Sequence, residues 1–270
     1  MLEIESERYG FKTKTIWFSE GPFDVRGYDG VVFHACVKNV DIAGFSKREF
    51  TTLTIDLTQD LDIIWRNMSK SSCRSAIKRA EKEGIDILIN QGYEKFSDIN
   101  KSFRMAKGLP AYDVDIDFMK KYGTLFISII DDTILGGQFY LNDDNNMRWL
   151  LGASKRLEVR EDMQSLIGAA NRLKIWEAIR YAKNAGIGKF DMGGYYTGKK
   201  ADPQKEGINI FKKSFGGDIA THYIYEKDYS MAYTLAKRCY KEYKAIREGI
   251  EKNLLTGERY FGRIRRTSTL

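Results

Sequence analysis

Three short apolar segments, TLFISII (124–130), ILGGQFYL (134–141) and NMRWLLGAS (146–154), run directly into one long helical pattern, and this order restricts the fold more than any other feature. Asp131–Asp132 and the stretch from Asn142 to Asn145 join the segments with hairpin chemistry, so the sequence predicts an antiparallel meander. From about 163 to 185, Met163, Leu166, Ala170, Leu173, Trp176 and Ile179 recur every three or four residues. That spacing predicts a helix with one buried face, N-capped by Asp162 and ended by Gly186. A strand at 189–194 (KFDMGG), a glycine- and lysine-rich loop, a short helix near 207–215 and a strand at 219–225 follow. A doubly wound parallel sheet would alternate strand and helix throughout and carry a glycine fingerprint after its first strand. Neither feature is present.

Upstream, strands are predicted at about 14–18, 30–37, 51–57 and 85–91. Thr58 reads as the capped start of a helix, and a second helix at 71–83 is closed by Gly84. Residues 94–107 and 115–122 look helical, divided by Gly108–Leu109–Pro110. A last helix at about 231–255 carries Leu235, Cys239, Tyr243, Ile246, Ile250 and Leu254 on one stripe, and a frayed tail is expected after Gly257. The pattern is α+β in two halves: 1–110, 111–230, then a helix and basic tail at 231–270. A length of 270 residues accommodates one or two domains.

At 43% hydrophobic and 30% charged residues, the chain is expected to pack rather than stay disordered. No stretch approaches 18 uncharged apolar residues, so no membrane span is expected, and MLEIESERYGFK lacks the apolar core of a secretory signal. Cys36, Cys73 and Cys239 show no CxxC spacing, and His34 and His222 stand apart from them. A metal site is therefore not expected, and reduced thiols in a cytoplasm are.

Residues 1–65 hold 7 basic and 11 acidic side chains, whereas the remaining 205 hold 37 and 26. The later part suits a polyanionic partner (nucleic acid, nucleotide or anionic headgroup) or simply a solvated basic surface. Arg66, Lys70, Arg74, Lys78 and Lys82 recur at four-residue intervals. On one continuous helix they would drift by about 40° each and form a ridge able to track phosphates. The alternative is an ordinary wet face, scattered by a break at Ser69–Ser72. A loop at 154–165 leads into the long helix, whose unpaired N–H groups, with Arg156 and Arg160, suit a pyrophosphate or form a plain connection. In 188–200 and 207–218, Asp191 precedes Gly193–Gly194, Tyr195 and Tyr196, while Phe211 and Phe215 flank Lys212. Phenylalanines at that spacing suit core anchors as well as a ligand pocket, and either role would fix the lysine between them. The hydrolase, P-loop, zinc-protease and kinase signatures are absent from the sequence.

Taken together, IDLTQDLDIIWRNMSKSSCRSAIKRAEKEGIDI (55–87), the meander, IWEAIRYAKNAGIGKFDMGG (175–194) and FKKSFGG (211–217) resemble the FemAB/FemX-like peptidoglycan-bridge aminoacyltransferases and the related GNAT-like acyltransferases. The resemblance implies tandem GNAT-like domains with mixed, largely antiparallel sheets flanked by helices. It implies transfer of an acyl or aminoacyl group to an amine, with aminoacyl-tRNA or acyl-coenzyme A as co-substrate and a small molecule or cell-wall precursor as acceptor. Phe211 and Lys212 match the Phe-Lys beside the transfer site, and Asp191, Gly193 and Gly194 match the strand end before it. By fold analogy, backbone N–H groups near Leu150–Gly152 would meet the developing oxyanion, and Asp191 and Tyr196 are the candidate bases. Two features depart from the pattern. Gln164-Ser-Leu-Ile-Gly168-Ala is one residue longer than the usual coenzyme A loop, and the charged helical arm of some bridge enzymes is missing. A GNAT-fold protein that only grips a polyanion is the other function compatible with these residues.

Overall fold

In the computed structural model, which describes residues 1–110, 113–198 and 200–243, ten strands form one sheet. They are β1 (Leu2–Arg8), β2 (Phe11–Trp17), β3 (Gly30–Cys36), β4 (Ser46–Asp56), β5 (Asp86–Ile89), β6 (Gly123–Ile130), β7 (Thr133–Asn142), β8 (Asn146–Ser154), β9 (Lys189–Gly194) and β10 (Asp218–Asp228). The spatial order is β1-β2-β3-β10-β4-β9-β8-β7-β6-β5. Only β2–β3 and β8–β9 are parallel, so the sheet is mixed and largely antiparallel as expected. The predicted division at 110 has no matching gap in the sheet: β5 precedes it yet pairs with β6, and β10 follows it yet lies between β3 and β4.

The meander forms at the expected places, and Asp131 and Asp132 both take positive φ, as the two central residues of a type I′ hairpin turn do. One strand escaped prediction. β1 is LEIESER, too charged to read as apolar alternation, and it holds the sheet edge through backbone pairing with β2 and the Lys14–Glu3 and Lys14–Glu5 ion pairs.

The helices are α1 (Leu61–Asn67), α2 (Ser75–Lys82), α3 (Tyr93–Ala106), α4 (Ile116–Tyr122), α5 (Glu161–Asn184) and α6 (Pro203–Lys213), with residues 231–243 also helical. Thr58 does not start α1. Its N–H and hydroxyl both donate to the Asp56 carboxylate, and the helix begins three residues later behind Asp60. Arg160, not Asp162, occupies the N-cap of α5, whereas Gly186 ends it with φ +78°. α6 starts earlier than 207, because the Asp202 carboxylate caps the Lys205 N–H and Pro203 fits the first turn. The stripe predicted beyond residue 243 lies outside the described residues.

α5 and α2 pack together on one face of the sheet over Phe126, Tyr140, Phe190, Leu53 and Ile55. Each of the fully buried aromatics contributes about 2–3 kcal/mol by burial. α3 and α4 cover Leu125, Ile127, Phe139 and Leu141 on the opposite face. Near the middle of the sheet the ladder opens. β8 and β9 pair only from Asn146–Lys189 to Arg148–Asp191, although β8 runs on to Ser154 and β9 to Gly194. Beyond Arg148 the two parallel strands diverge, and the functional candidates gather there.

Candidate functional site

Phe190 and Met192 of β9 point into the core beneath α5, so alternation sends Asp191 to the other face of the sheet. There its carboxylate is 2% exposed and fully engaged. One oxygen accepts from the Gly193 N–H at 2.7 Å and from the Thr52 hydroxyl, which also lies 2.9 Å from the Gly193 carbonyl. The other oxygen pairs with Arg148 of β8, and His222 Nδ1 stands 3.8 Å away. Arg148 is sandwiched by rings, 5.2 Å from the Phe50 centroid and 5.7 Å from that of Trp17. Trp17 in turn stacks on His34 at 4.3 Å. Burial, helped by the Arg148 and Arg48 charges, pushes the His34 pKa down to about 4. Burial likewise lowers that of His222, against the pull of Asp191.

The bond from Asp191 to Gly193 shapes the turn that follows. Gly193 has φ +76°, and a Cβ there would meet the Trp149 carbonyl at 3.1 Å, so only glycine closes this corner without strain. The corner presents the Gly194 carbonyl to Lys212, whose Nζ donates to it at 2.6 Å. Lys212 is 7% exposed, and its ammonium also lies 5.6 Å from the centroid of Trp149. Burial is the main force on its pKa; the Asp191 charge opposes it and Arg148 adds to it, leaving the amine at about 8. Opposite the lysine, β8 carries a bulge: Trp149 faces Tyr140 and Leu151 faces Phe139, so the β7 ladder skips Leu150. The pairing with β9 has ended by then, so the Leu150 backbone has no strand partner on either side.

Phe211 completes the wall. It sits 6.4 Å from Trp149 and 5.5 Å from Phe215, with the Arg172 guanidinium 4.8 Å from its ring centroid. Of the residues singled out in the sequence, Phe211 and Lys212 lie on α6, and Asp191, Gly193, Gly194, Leu150 and Gly152 lie on the two diverging strands. With three donors on its carboxylate, Asp191 is placed to anchor the Gly193 turn and not to act as a free base. Tyr196 lines an adjoining cleft of about 440 Å³ with Phe50, Thr51, Tyr195, Lys205 and Asn209. Its hydroxyl is bonded to the Lys200 carbonyl, and Asn209 clamps its backbone N–H and C=O.

The basic row is not a ridge. A π-helical turn at Lys70–Arg74 separates α1 from α2, and the Ser69 N–H is tied to the Ser214 carbonyl at the end of α6. Arg66, Lys70, Lys78 and Lys82 stay exposed, while Arg74 turns inward. Arg156 and Arg160 are exposed before α5, and the nearest acid to Arg160 is Asp162 at 3.8 Å. Arg148, Thr52 and Arg172 went unnoticed in the sequence, and His222 was weighed only as a metal ligand. An arginine between Met147 and Trp149, in a strand otherwise apolar, was the available signal for the first.

No protein-family profile matches this chain, and no curated protein matches it in sequence. Its structure is similar to that of FemX, with a TM-score of 0.60 at 12% identity over 83% of each chain. It is also similar to a C-terminal domain (DUF2156), from Agrobacterium fabrum, of a protein assigned as a lysylphosphatidylglycerol synthetase. There the TM-score is 0.51 at 11% identity, over 74% of this chain and 68% of that one. The chain thus has the fold of FemX, an α+β arrangement consistent with tandem GNAT-like domains.

Proposed function

We propose that this protein is an acyltransferase, moving an acyl or aminoacyl group from an activated ester or thioester to an amine in the opening between β8 and β9. The observation that carries the reading is the Lys212 ammonium, buried at the mouth of that opening and held by the Gly194 carbonyl. The likeness in fold to FemX supports the same class of chemistry.

In this reaction the amine nitrogen attacks the carbonyl carbon and the carbonyl π electrons move onto oxygen. The tetrahedral intermediate then collapses, expelling the alkoxide or thiolate with the proton that the amine loses. With a pKa of about 8, Lys212 is mainly protonated at neutral pH and donates to the oxyanion or to the leaving group. The Leu150 N–H, at the bulge that the β7 register skips and beyond the pairing with β9, is the second donor to the oxyanion. Phe211 and Trp149 form an apolar wall that keeps water from the reacting ester. An acceptor that arrives as an ammonium ion sheds its first proton to water before attack, because Asp191 is fully engaged. Aminoacyl-tRNA and acyl-coenzyme A are the donors proposed, with the amine of a cell-wall precursor or small molecule as acceptor and a cytoplasmic setting. Among the described residues no helix is long and apolar enough to cross a membrane.

The test is turnover by the purified protein with acetyl-coenzyme A and with aminoacyl-tRNA against a panel of amines, alongside Lys212→Ala and calorimetric binding. Lys212→Ala is expected to cut kcat by about 100-fold or more with donor binding largely kept. The rate of the intact protein is expected to fall as pH rises through about 8, where Lys212 loses its proton. Turnover that survives Lys212→Ala unchanged overturns the assignment. Donor binding with no turnover against any amine favours a protein that only holds a polyanion.

A further inference from the structure

The helix at residues 231–243 docks on the sheet through Tyr233, Thr234 and Lys237 and turns its most apolar side outward, the reverse of the usual arrangement for a surface helix. Lys237 pairs with Glu226 and donates to the Asp228 carboxylate of β10 at 2.8 Å, and the Thr234 hydroxyl also reaches Asp228 at 3.3 Å. Tyr233 stands 5.5 Å from the Phe11 ring and fills the space over Gly30, where a Cβ would come within 2.4 Å of it. Met231, Leu235, Cys239 and Tyr243 follow one another at four-residue steps, so they share a stripe about 120° wide on the side away from these contacts. Met231, Leu235 and Tyr243, with Tyr240 beside them, are between 55% and 84% exposed, and Cys239 is exposed as well. In the sequence the apolar spacing continues through Ile246, Ile250 and Leu254. From Met231 to Leu270, 10 side chains are basic and 4 are acidic, so this segment holds nearly all of the chain's net charge of +7.

We infer that the helix is a peripheral docking surface for an anionic lipid bilayer. An apolar stripe of this kind sinks into the boundary between headgroups and acyl chains, and tyrosines settle at that level with the ring inward and the hydroxyl wet. The lysines and arginines of the same segment meet the lipid phosphates. Charge decides against a second copy of this chain, because pairing two such segments sets one group of basic side chains against another. The inference stands without the acyl-transfer reading.

The test is co-sedimentation of the full chain with vesicles of phosphatidylcholine alone and of phosphatidylcholine with phosphatidylserine in a three-to-one ratio. Binding is expected to the mixed vesicles only, and it should weaken as salt is raised. Met231→Gln and Leu235→Gln change exposed side chains, so the fold is kept, and each is expected to weaken binding about tenfold. Lys241→Gln is expected to weaken it about fivefold. Lys95→Gln removes an exposed charge on α3 and is expected to leave it unchanged. Cys239 is exposed whereas Cys36 and Cys73 are buried, so a thiol-reactive, polarity-sensitive dye reports from the stripe itself. Its emission is expected to shift to the blue on the mixed vesicles and not on the neutral ones. No binding to mixed vesicles, equal binding to both kinds, or binding that both apolar variants leave unchanged overturns the inference. A loss with Lys95→Gln as large as that with Lys241→Gln overturns it too. A doubled mass in light scattering, without vesicle binding, gives the stripe to a second copy instead.

Discussion

Arg148 on one face of the sheet, and Arg172 and Arg74 among the helices on the other, meet the problem of a desolvated cation in opposite ways. Arg148 is enclosed by Asp191, Phe50 and Trp17, and its partner carboxylate is satisfied on both oxygens. Arg172 and Arg74 have a ring, one helix carbonyl and idle donors. A closed pair fixes backbone geometry, here the Gly193–Gly194 turn that aims Lys212. A buried guanidinium donor without an acceptor fixes nothing of that kind and costs the fold stability.

The sharpest break in this comparison is Asp191→Asn, which leaves Arg148 buried without its counter-ion. It should lower stability by about 3–5 kcal/mol, read by urea unfolding. A loss below 1 kcal/mol would put both faces in the same class. Lys174 supplies a third case: wholly buried in α5, no acceptor for its amine, and a pKa driven down to about 7 by burial alone. Between pH 10.5 and 7 the unfolded chain takes up a proton there that the folded chain does not, so folding weakens as pH falls through that window. Lys174→Met should therefore gain about 4 kcal/mol at pH 7 and nothing near pH 11, measured as paired unfolding curves. His34 tests the closed face by titration. With its folded pKa near 4 and an unfolded value near 6.5, its share of stability is present above pH 6.5 and disappears as pH falls to 4. His34→Phe should flatten that acid limb by about 2 kcal/mol. Arg172→Gln should shift stability by no more than about 1 kcal/mol, in either direction. A loss as large as that of Asp191→Asn would show that Arg172 is part of the scaffold.

What the sequence disclosed follows the range of the interactions involved. Hairpins, the long helix, Gly84 and Gly186 are local matters, set by turn chemistry and spacing within a few residues, and they are found where the pattern predicts. Phe211 and Lys212 were legible because a lysine between two phenylalanines is odd on its own. The Thr52–Asp191–Arg148 cluster joins β4, β9 and β8, and nothing within any one strand announces the other two. The basic row failed for the converse reason. Its four-residue period presupposed an unbroken helix, and the tie from Ser69 to Ser214, a contact across 145 positions, turns Arg74 inward. Arg172 escaped because its meaning depends on what is missing around it.

The placement of β10 also governs how this chain is made. As the last of the described strands, it fits between β3 and β4, two of the earliest. A ribosome that has released Asp56 must add about 160 more residues before Asp218 emerges, an interval of about 10–30 s during which the flanks of β3 and β4 have no strand to join. The N-terminal third is then an open template for any extended segment nearby, whether its own or a neighbour's. The emergence of β10, and not the completion of any earlier segment, sets the moment at which β3 and β4 gain the strand that joins them.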